Sequence, residues 1–285
     1  GKSIIAFGKF FLGSGTGNYF ASKYNGDTVS PVVGGKTQAV QQIVGEVSKT
    51  YSQIGRNPYE GVTIDFEGLR APQKEAFSDF LRQLQPALQK LDKKLLVCVP
   101  PVLTTSAYYD GYDYRAIGEL ADRVILMAYG YGPQNMTGFT GTEYYKTAAI
   151  TPIASVYTAL KYAVSEIAPS KLLLGFSAAS TAWKIDENGK LVSETPVYPS
   201  NETVIKRLSQ SDTEHGWSQT YQQSYAIYRT EDGSCYFLWY QDASSVQAAL
   251  NAARLLGVNG VSVWRIGSIP DVNAVWNWSE LLNAA

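Results

Sequence analysis

The chain has few of the residues that catalyse reactions through nitrogen or sulfur. Its 285 residues include one histidine, His215, and two cysteines, Cys98 and Cys235. One histidine cannot form a multi-histidine metal site and gives no basis for a histidine-centred triad, so we expect His215 on the surface. We expect both cysteines to be free thiols, because Cys98 lies in an apolar run and Cys235 in a polar hairpin. Chemistry in this chain should therefore rest on carboxylates.

Charge and long apolar runs are also scarce. The 24 basic and 25 acidic residues are interspersed and give a formal net charge of −1, so neither nucleic acid nor an anionic membrane is an expected partner. No stretch approaches the roughly 18 consecutive apolar residues of a membrane span. If the protein is exported, we expect its signal to have been removed from this chain. With 45% hydrophobic residues, the chain can form one large α/β domain or a barrel with an insertion.

The most informative segment is Glu60-Gly61-Val62-Thr63-Ile64-Asp65-Phe66-Glu67. Side chains two residues apart on a strand share a face, so Thr63, Asp65 and Glu67 should lie on one side. Two adjacent carboxylates resist double ionisation, which predicts a raised pKa for the pair and makes Glu67 a candidate general acid. A structural alternative is a solvated strand end, with Gly68 beginning an ordinary loop.

Short apolar runs alternate with helical patterns, which is typical of βα units and a parallel sheet. The predicted strands are Ser3–Phe7, Gly61–Glu67, Leu95–Pro100, Arg123–Tyr129, Leu172–Phe176 and Gly260–Ile266. The predicted helices are Gln38–Tyr51, Gln73–Leu91 and Ser244–Leu256. Residues 181–242 break the alternation and predict an antiparallel insertion, in which Tyr225–Arg229 and Cys235–Tyr240 form a hairpin.

The acidic segment resembles the D-G-x-D-x-D-x-E signature of family 18 glycoside hydrolases. The later strands resemble that family in order, including Met127-Ala128-Tyr129 as an M-x-Y strand end and Gly260–Trp264 as the last strand. The resemblance implies an α/β fold of the (β/α)8 TIM-barrel type, formed by residues 1–180 and 243–285. Residues 181–242 would be a small α+β insertion before the last βα unit. Within the family, Trp239-Tyr240-Gln241-Asp242-Ala243 and residues 257–267 most resemble the branch of bacterial spore-cortex-lytic and germination N-acetylglucosaminidases. The W-Y-x-D-A segment is equally typical of a bacterial chitinase-like enzyme.

The same resemblance implies the site residues. Glu67 would be the acid, Asp65 would orient the substrate's acetamido group, and Tyr129 would hold its carbonyl. The other expected substrate contacts are Trp264, Tyr131, Thr63, Met127 and Trp183. No cofactor or metal is implied. The substrate would be an N-acetylglucosamine-containing polysaccharide, chitin or peptidoglycan, outside the cell or in the wall or spore envelope.

Three features depart from the family pattern. Thr63 stands where the fullest motif has an aspartate, and Gly130 stands where many members have an acid, for which Tyr131 or a loop residue would compensate. Ser3–Phe7 corresponds best to the family's third strand, so we expect the first two βα units to lie in a longer protein, in another subunit or in segments of this chain whose pattern is not recognisable. A segment preceding Gly1 or a partner chain would then complete the barrel, because open sheet edges are normally covered or paired.

Two other functions fit parts of the sequence. A lectin-like relative would bind glycans without cleaving them, but such relatives usually replace the terminal glutamate of the motif, which is retained here as Glu67. An unrelated α/β enzyme, such as an isomerase, would use Asp65 and Glu67 to bind a divalent metal. Two carboxylates without nearby acids or histidines make a poor metal site, so this reading ranks last.

Overall fold

The computed structural model describes residues 7–12, 30–50, 52, 55, 57, 59–103 and 109–264, with only the backbone of 7–12 and 30–38. The chain is an α/β protein of two compact units. The first unit comprises Gly1–Met127 and Lys161–Leu173, and the second comprises Ala128–Leu160 and Leu174–Ala285.

The first unit is built on parallel strands. In chain order its elements are β1 (Phe7–Leu12), α1 (Ser30–Ser48), β2 (Gly61–Phe66), α2 (Lys74–Gln89), β3 (Lys94–Val99), α3 (Tyr114–Leu120) and β4 (Arg123–Met127). The strands lie in the order β1-β2-β3-β4, and β4 is followed by β5 (Leu172–Ser177), which begins in this unit. Phe7 pairs with Gly61, Gly61 with Lys94, and Leu96 with Arg123, so each strand ends at the same edge of the sheet as its neighbour.

Helix α2 covers one face of β2. Its apolar residues recur at helical spacing, and Phe77, Phe80, Leu81, Leu84 and Leu88 are all buried. The Phe66 ring of β2 packs against Phe77 and Phe80 at centroid distances of 5.7 and 5.3 Å. All six residues of β2 are buried, as expected for a strand in the middle of a parallel sheet.

The second unit contains an antiparallel sheet. Two elements are divided between the units: helix α4 (Ile153–Glu166) begins in the second unit and ends in the first, and β5 begins in the first and ends in the second. The other elements of the second unit are β6 (Thr181–Ile185), α5 (Asn201–Leu208), β7 (Glu214–Ser218), β8 (Gln223–Arg229), β9 (Cys235–Tyr240), α6 (Ala243–Leu255) and β10 (Gly260–Trp264). The antiparallel order is β6-β9-β8-β7, and β10 lies beside β5. Val204 and Leu208 of α5 pack on one sheet face with Leu238, and Tyr145 and Ile150 pack on the other with Trp239.

Most predicted strands are confirmed to within two residues. The β8–β9 hairpin is confirmed by antiparallel pairing from Ser224 with Tyr240 to Arg229 with Cys235. The predicted first strand is wrong at its end, because β1 continues to Leu12, where it pairs with Phe66. Residues 3–6 of that prediction, and residues 265–266 of the last strand, lie outside the described residues.

Helix predictions were less complete. Helix α1 begins at Ser30 rather than Gln38, and α3, α4 and α5 were not predicted. The antiparallel sheet falls within 181–242, whereas the two compact units divide the chain elsewhere, so the domain boundaries stay a prediction. Cys98 and Cys235 are free, as expected, and both are buried. Within the described part of the chain, no helix has the length and apolarity to cross a bilayer.

Candidate active site

Asp65 lies on the face of β2 that points away from helix α2. Phe66, its neighbour in sequence, packs on that helix, and successive strand residues alternate between faces. Asp65 is 2% exposed and Thr63 is 6% exposed, so both polar side chains are buried on the same face. A buried carboxylate is expensive unless it is compensated, which makes Asp65 a candidate functional group.

Apolar side chains of the neighbouring strands share this face. Thr63 pairs with Leu96 of β3, and Cys98 pairs with Ile125 of β4. These apolar residues form a buried cluster with which Met127 and Leu173 make contact. Met127, predicted as a substrate contact, therefore packs within the first unit at the end of β4, and its role towards substrate stays a proposal.

Glu67 differs from the prediction that it belongs to a buried strand. Strand β2 ends at Phe66, and Glu67 is exposed at the carboxyl end of the strand. Gly68 follows with φ of 75°, a left-handed conformation that turns the chain away from the sheet. The argument from burial therefore applies to Asp65 alone. Active sites of parallel α/β proteins form at this carboxyl-terminal edge of the sheet, where Glu67 is exposed.

Tyr129 belongs to the second unit, where it helps to line a pocket. The other lining residues are Gly130, Gly132, Pro133, Gln134, Ile150, Thr151, Ser177, Ala179, Thr181 and Tyr198. Two of these lining residues are joined to each other, since the Tyr198 hydroxyl donates a hydrogen bond to Gln134 Oε1 at 2.5 Å. The pocket is thus lined by Tyr129, which was predicted to be catalytic, and by Thr181 and Tyr198 of the 181–242 segment.

Gly130 has a backbone reason to be glycine. Its φ is 75°, a region that other L-residues enter only with strain. The backbone conformation at this position therefore favours glycine over the acid that many family members have there. Tyr131 does not present its hydroxyl to solvent, since that oxygen is buried without a hydrogen-bond partner among the described residues. Burial raises the pKa of the Tyr131 phenol.

The two predicted tryptophans have different environments. Trp183 is completely buried in the cluster that contains Ile150, Phe237 and Trp239, so its ring faces are covered by protein. Its predicted role in sugar stacking is therefore corrected to a core role. Trp264 is 38% exposed at the end of β10, where its backbone oxygen accepts a hydrogen bond from Ala178 N at 3.1 Å. A partly exposed indole at a strand end suits the apolar face of a sugar.

Among the described residues, no group of three or more histidine, cysteine, aspartate or glutamate side chains could hold a metal ion. His215 is exposed on β7. Of the predicted catalytic residues, Asp65 and Glu67 lie at the end of β2 in the first unit, and Tyr129 follows β4 in the second unit.

Comparison with known proteins gives a consistent result. A cortical fragment-lytic enzyme of Bacillus subtilis (strain 168) is 25% identical over 230 residues, which cover 80% of this chain and 50% of the relative. The crystal structure of the spore cortex-lytic enzyme SleL from Bacillus megaterium QM B1551 matches with a TM-score of 0.67 and 26% identity, over 82% of this chain and 50% of that one. A chitinase from Chromobacterium violaceum ATCC 12472 shares the fold, with a TM-score of 0.67 at 21% identity over 94% of this chain and 77% of that one.

The chain spans about half the length of the cortical fragment-lytic enzymes that it matches. The family assignment rests on a longer match, because residues 22–268 fit the sequence model of "Glycosyl hydrolases family 18". That range includes β2, the turn with Glu67, and the strand ends that carry Tyr129 and Trp264. The chain therefore belongs to glycoside hydrolase family 18.

Proposed function

We propose that this chain cleaves β-1,4 glycosidic bonds next to N-acetylglucosamine by substrate-assisted, retaining catalysis. The observation that carries the proposal is the family 18 match together with Asp65 and Glu67 at the carboxyl end of β2. Glycoside cleavage needs an acid for the leaving oxygen and a nucleophile for the anomeric carbon. The exposed carboxyl group of Glu67 supplies the first requirement.

In the proposed reaction, Glu67 donates its proton to the glycosidic oxygen, and the bond from that oxygen to the anomeric carbon breaks. The substrate's own acetamido oxygen attacks the anomeric carbon and forms an oxazolinium-like intermediate. Glu67, now a carboxylate, takes a proton from water, whose oxygen opens the intermediate with net retention. Asp65 accepts a hydrogen bond from the acetamido N–H and stabilises the positive charge, and the Tyr129 hydroxyl donates to the acetamido oxygen.

The names of the relatives favour a spore-cortex or related cell-wall glycan as the substrate. We propose peptidoglycan as the first substrate to test and a location in the cell wall or spore envelope. Thr63, Met127, Tyr131 and Trp264 remain proposed substrate contacts. Trp183 is left out, because its ring is buried.

Product analysis by mass spectrometry tests the activity. Wild-type protein, Glu67→Gln and Glu60→Gln would be incubated with chitooligosaccharides and with purified peptidoglycan. Glu60 is an exposed acid that precedes the first residue of β2, so it is a matched control at the opposite end of the same strand. We expect wild type and Glu60→Gln to cleave at similar rates, and Glu67→Gln to lose roughly 100-fold or more, because it cannot donate the proton.

Binding without cleavage by the wild-type protein would contradict the proposal and favour a lectin-like function. Equal cleavage by wild type and Glu67→Gln would show that another group is the acid. Cleavage of only one of the two glycans would name the substrate class.

A further inference from the structure

The turn that carries Glu67 is held by a tyrosine from another segment. Tyr112 is buried, and its hydroxyl donates a hydrogen bond to the Phe66 carbonyl oxygen at 2.5 Å. The same hydroxyl accepts a hydrogen bond from Leu69 N at 3.4 Å. These two backbone groups lie on either side of Glu67 and Gly68, and they are the pair that a four-residue turn would join directly.

The Tyr112 ring is itself fixed by packing. It meets the Phe77 ring of α2 edge-on, with the centroids 5.8 Å apart and the planes at 80°. Phe77 in turn packs on Phe66. Phe77 therefore packs on both the Tyr112 ring and Phe66, the last residue of β2. This packing restricts the direction in which the Tyr112 hydroxyl points.

Two further contacts bring the residues next to Tyr112 against the same turn. Gly111 approaches so closely that an added Cβ would lie 2.3 Å from the Leu69 carbonyl carbon. On the outer side, the Arg70 guanidinium donates two hydrogen bonds to the Asp110 carboxylate, at 2.8 and 3.1 Å. Gly111 and Tyr112 thus contact the turn itself, and Asp110 holds Arg70, the residue that follows it.

We propose that Tyr112 is a positioning residue, which fixes the turn Phe66–Leu69 and thereby the direction in which Glu67 presents its carboxyl group. This inference rests on the proposed function, because it assigns Tyr112 to the orientation of the proposed acid. The hydroxyl makes its two hydrogen bonds to backbone groups of the turn, so it acts through the turn.

The protonation state of Tyr112 suits this role. Burial raises the pKa of the phenol, and the negative charges of Glu67 and Asp65 raise it further, although the bond from Leu69 N works in the other direction. The phenol therefore keeps its proton throughout the working range of a glycosidase. The hydroxyl therefore remains able to donate its hydrogen bond to the Phe66 carbonyl over that range.

The test is Tyr112→Phe, which removes the hydroxyl and keeps the ring that packs on Phe77. We expect kcat to fall roughly 10- to 100-fold, since small misplacements of a catalytic group have effects of this size. KM should change little, because the turn itself is not proposed to bind the glycan. Phe replaces Tyr without a change in ring size, so circular dichroism and the melting curve should remain those of a folded protein.

Tyr114→Phe is the matched control. Tyr114 is equally buried, and its hydroxyl also donates to a backbone carbonyl at a strand end, that of Pro100 after β3. That hydroxyl is directed to Pro100 and not to the Phe66 carbonyl, so we expect kcat to stay within roughly twofold of wild type. Loss of kcat in Tyr112→Phe alone supports positioning, and an equal loss in both variants, or in neither, overturns it.

A crystal structure of Tyr112→Phe gives a readout that does not depend on activity. We expect the segment Glu67–Leu69 to shift or to lose order relative to wild type. An unchanged turn would overturn the inference even if kcat fell. If wild-type protein cleaves no glycan while Tyr112→Phe still displaces the turn, the proposed function fails and the structural role of Tyr112 stands.

Discussion

Two glycines follow the residues on which the proposed chemistry depends. Gly68 comes after Glu67, Gly130 comes after Tyr129, and both have a φ of 75°. In each case the chain turns away from the sheet in a left-handed conformation that residues with a Cβ rarely adopt. Glycine at this position therefore fixes where the chain leaves the sheet. The identity of the residue after each functional side chain is therefore set by backbone geometry.

Replacing Gly68 with alanine tests this requirement. No atom lies within 4 Å of an added Cβ, so the penalty comes from the backbone alone. We expect Gly68→Ala to lower the free energy of unfolding by about 1 to 2 kcal/mol. Urea unfolding followed by circular dichroism measures the change.

Gly45→Ala is the matched control, because Gly45 lies in helix α1 and an added Cβ there also meets no atom within 4 Å. We expect this variant to raise the free energy of unfolding by about 0.5 to 1 kcal/mol, since alanine is the better helix former. A neutral or stabilising effect of Gly68→Ala would contradict the conformational explanation.

At the residue scale, residue type and strand alternation were enough to predict that Asp65 and Thr63 share one buried face. They were not enough for Glu67, since the strand ends one residue earlier than the apolar alternation indicates. Trp183 and Trp264 both follow or end a predicted strand, yet only Trp264 is partly exposed. Which tryptophan faces solvent depends on the sheet that forms around Trp183.

Among the elements, the short helix α3 depends on a lysine distant in sequence. Lys171 Nζ donates to the carbonyl oxygens of Gly118, Glu119 and Ala121, at 2.7, 3.3 and 2.9 Å. These carbonyls lie at the carboxyl end of α3, where helices leave acceptors without partners and where the dipole favours a cation. A seven-residue helix has little stability of its own, so this contact should matter.

Lys171→Met tests the contact, because methionine keeps much of the side-chain length and removes the charge and the donors. We expect the free energy of unfolding to fall by about 1 to 3 kcal/mol. Lys161→Met is the control, since Lys161 is exposed on α4. Equal stability of the two variants in urea unfolding would show that Lys171 does not support α3.

Element types were predicted well where the apolar pattern was continuous. The strands β2 to β5 and the helix α2 fall where the sequence pattern places them. The helices α3 and α5 were missed, since seven and eight residues are too few for a clear period, and α4 was missed although it has fourteen residues. Lys171 binds the carboxyl end of α3, and Ser200 caps the start of α5. The Lys171 contact joins residues 50 to 53 positions apart and leaves no local signal, whereas the Ser200 cap is a local contact with Thr203.

For the molecule as a whole, the proposed reaction depends on a group that the substrate supplies. The buried face of β2 offers Asp65, and the exposed end offers Glu67, but in the proposed reaction neither attacks the anomeric carbon. The acetamido oxygen does so. Catalysis should therefore require an N-acetyl group on the sugar at the cleaved bond.

De-N-acetylated chitooligosaccharides test this requirement. We expect them to be cleaved roughly 100-fold more slowly, or not at all, because an intramolecular nucleophile has been removed. The first product from the acetylated substrate should have the β configuration in proton NMR spectra recorded within minutes of mixing. Equal rates on both substrates, or an α product, would exclude the substrate-assisted mechanism.

The described residues include six strands of the parallel sheet, β1 to β5 and β10, two fewer than a (β/α)8 barrel has. That a preceding segment or a partner chain completes the barrel stays a prediction. A molar mass from light scattering would distinguish the two sources, because a partner chain doubles the mass of the 31.2 kDa chain.

The sequence by itself determined the family, the α/β class, the order of the central strands and the pair of carboxylates. Each of these follows from local patterns: apolar runs, two-residue alternation and a short motif. The tertiary structure alone decided that Glu67 is exposed while Asp65 is buried, that Trp183 belongs to a core, and that Tyr112 holds the turn after β2. Burial and long-range hydrogen bonds depend on which segments meet in space, and Phe66 and Tyr112 are 46 residues apart along the chain.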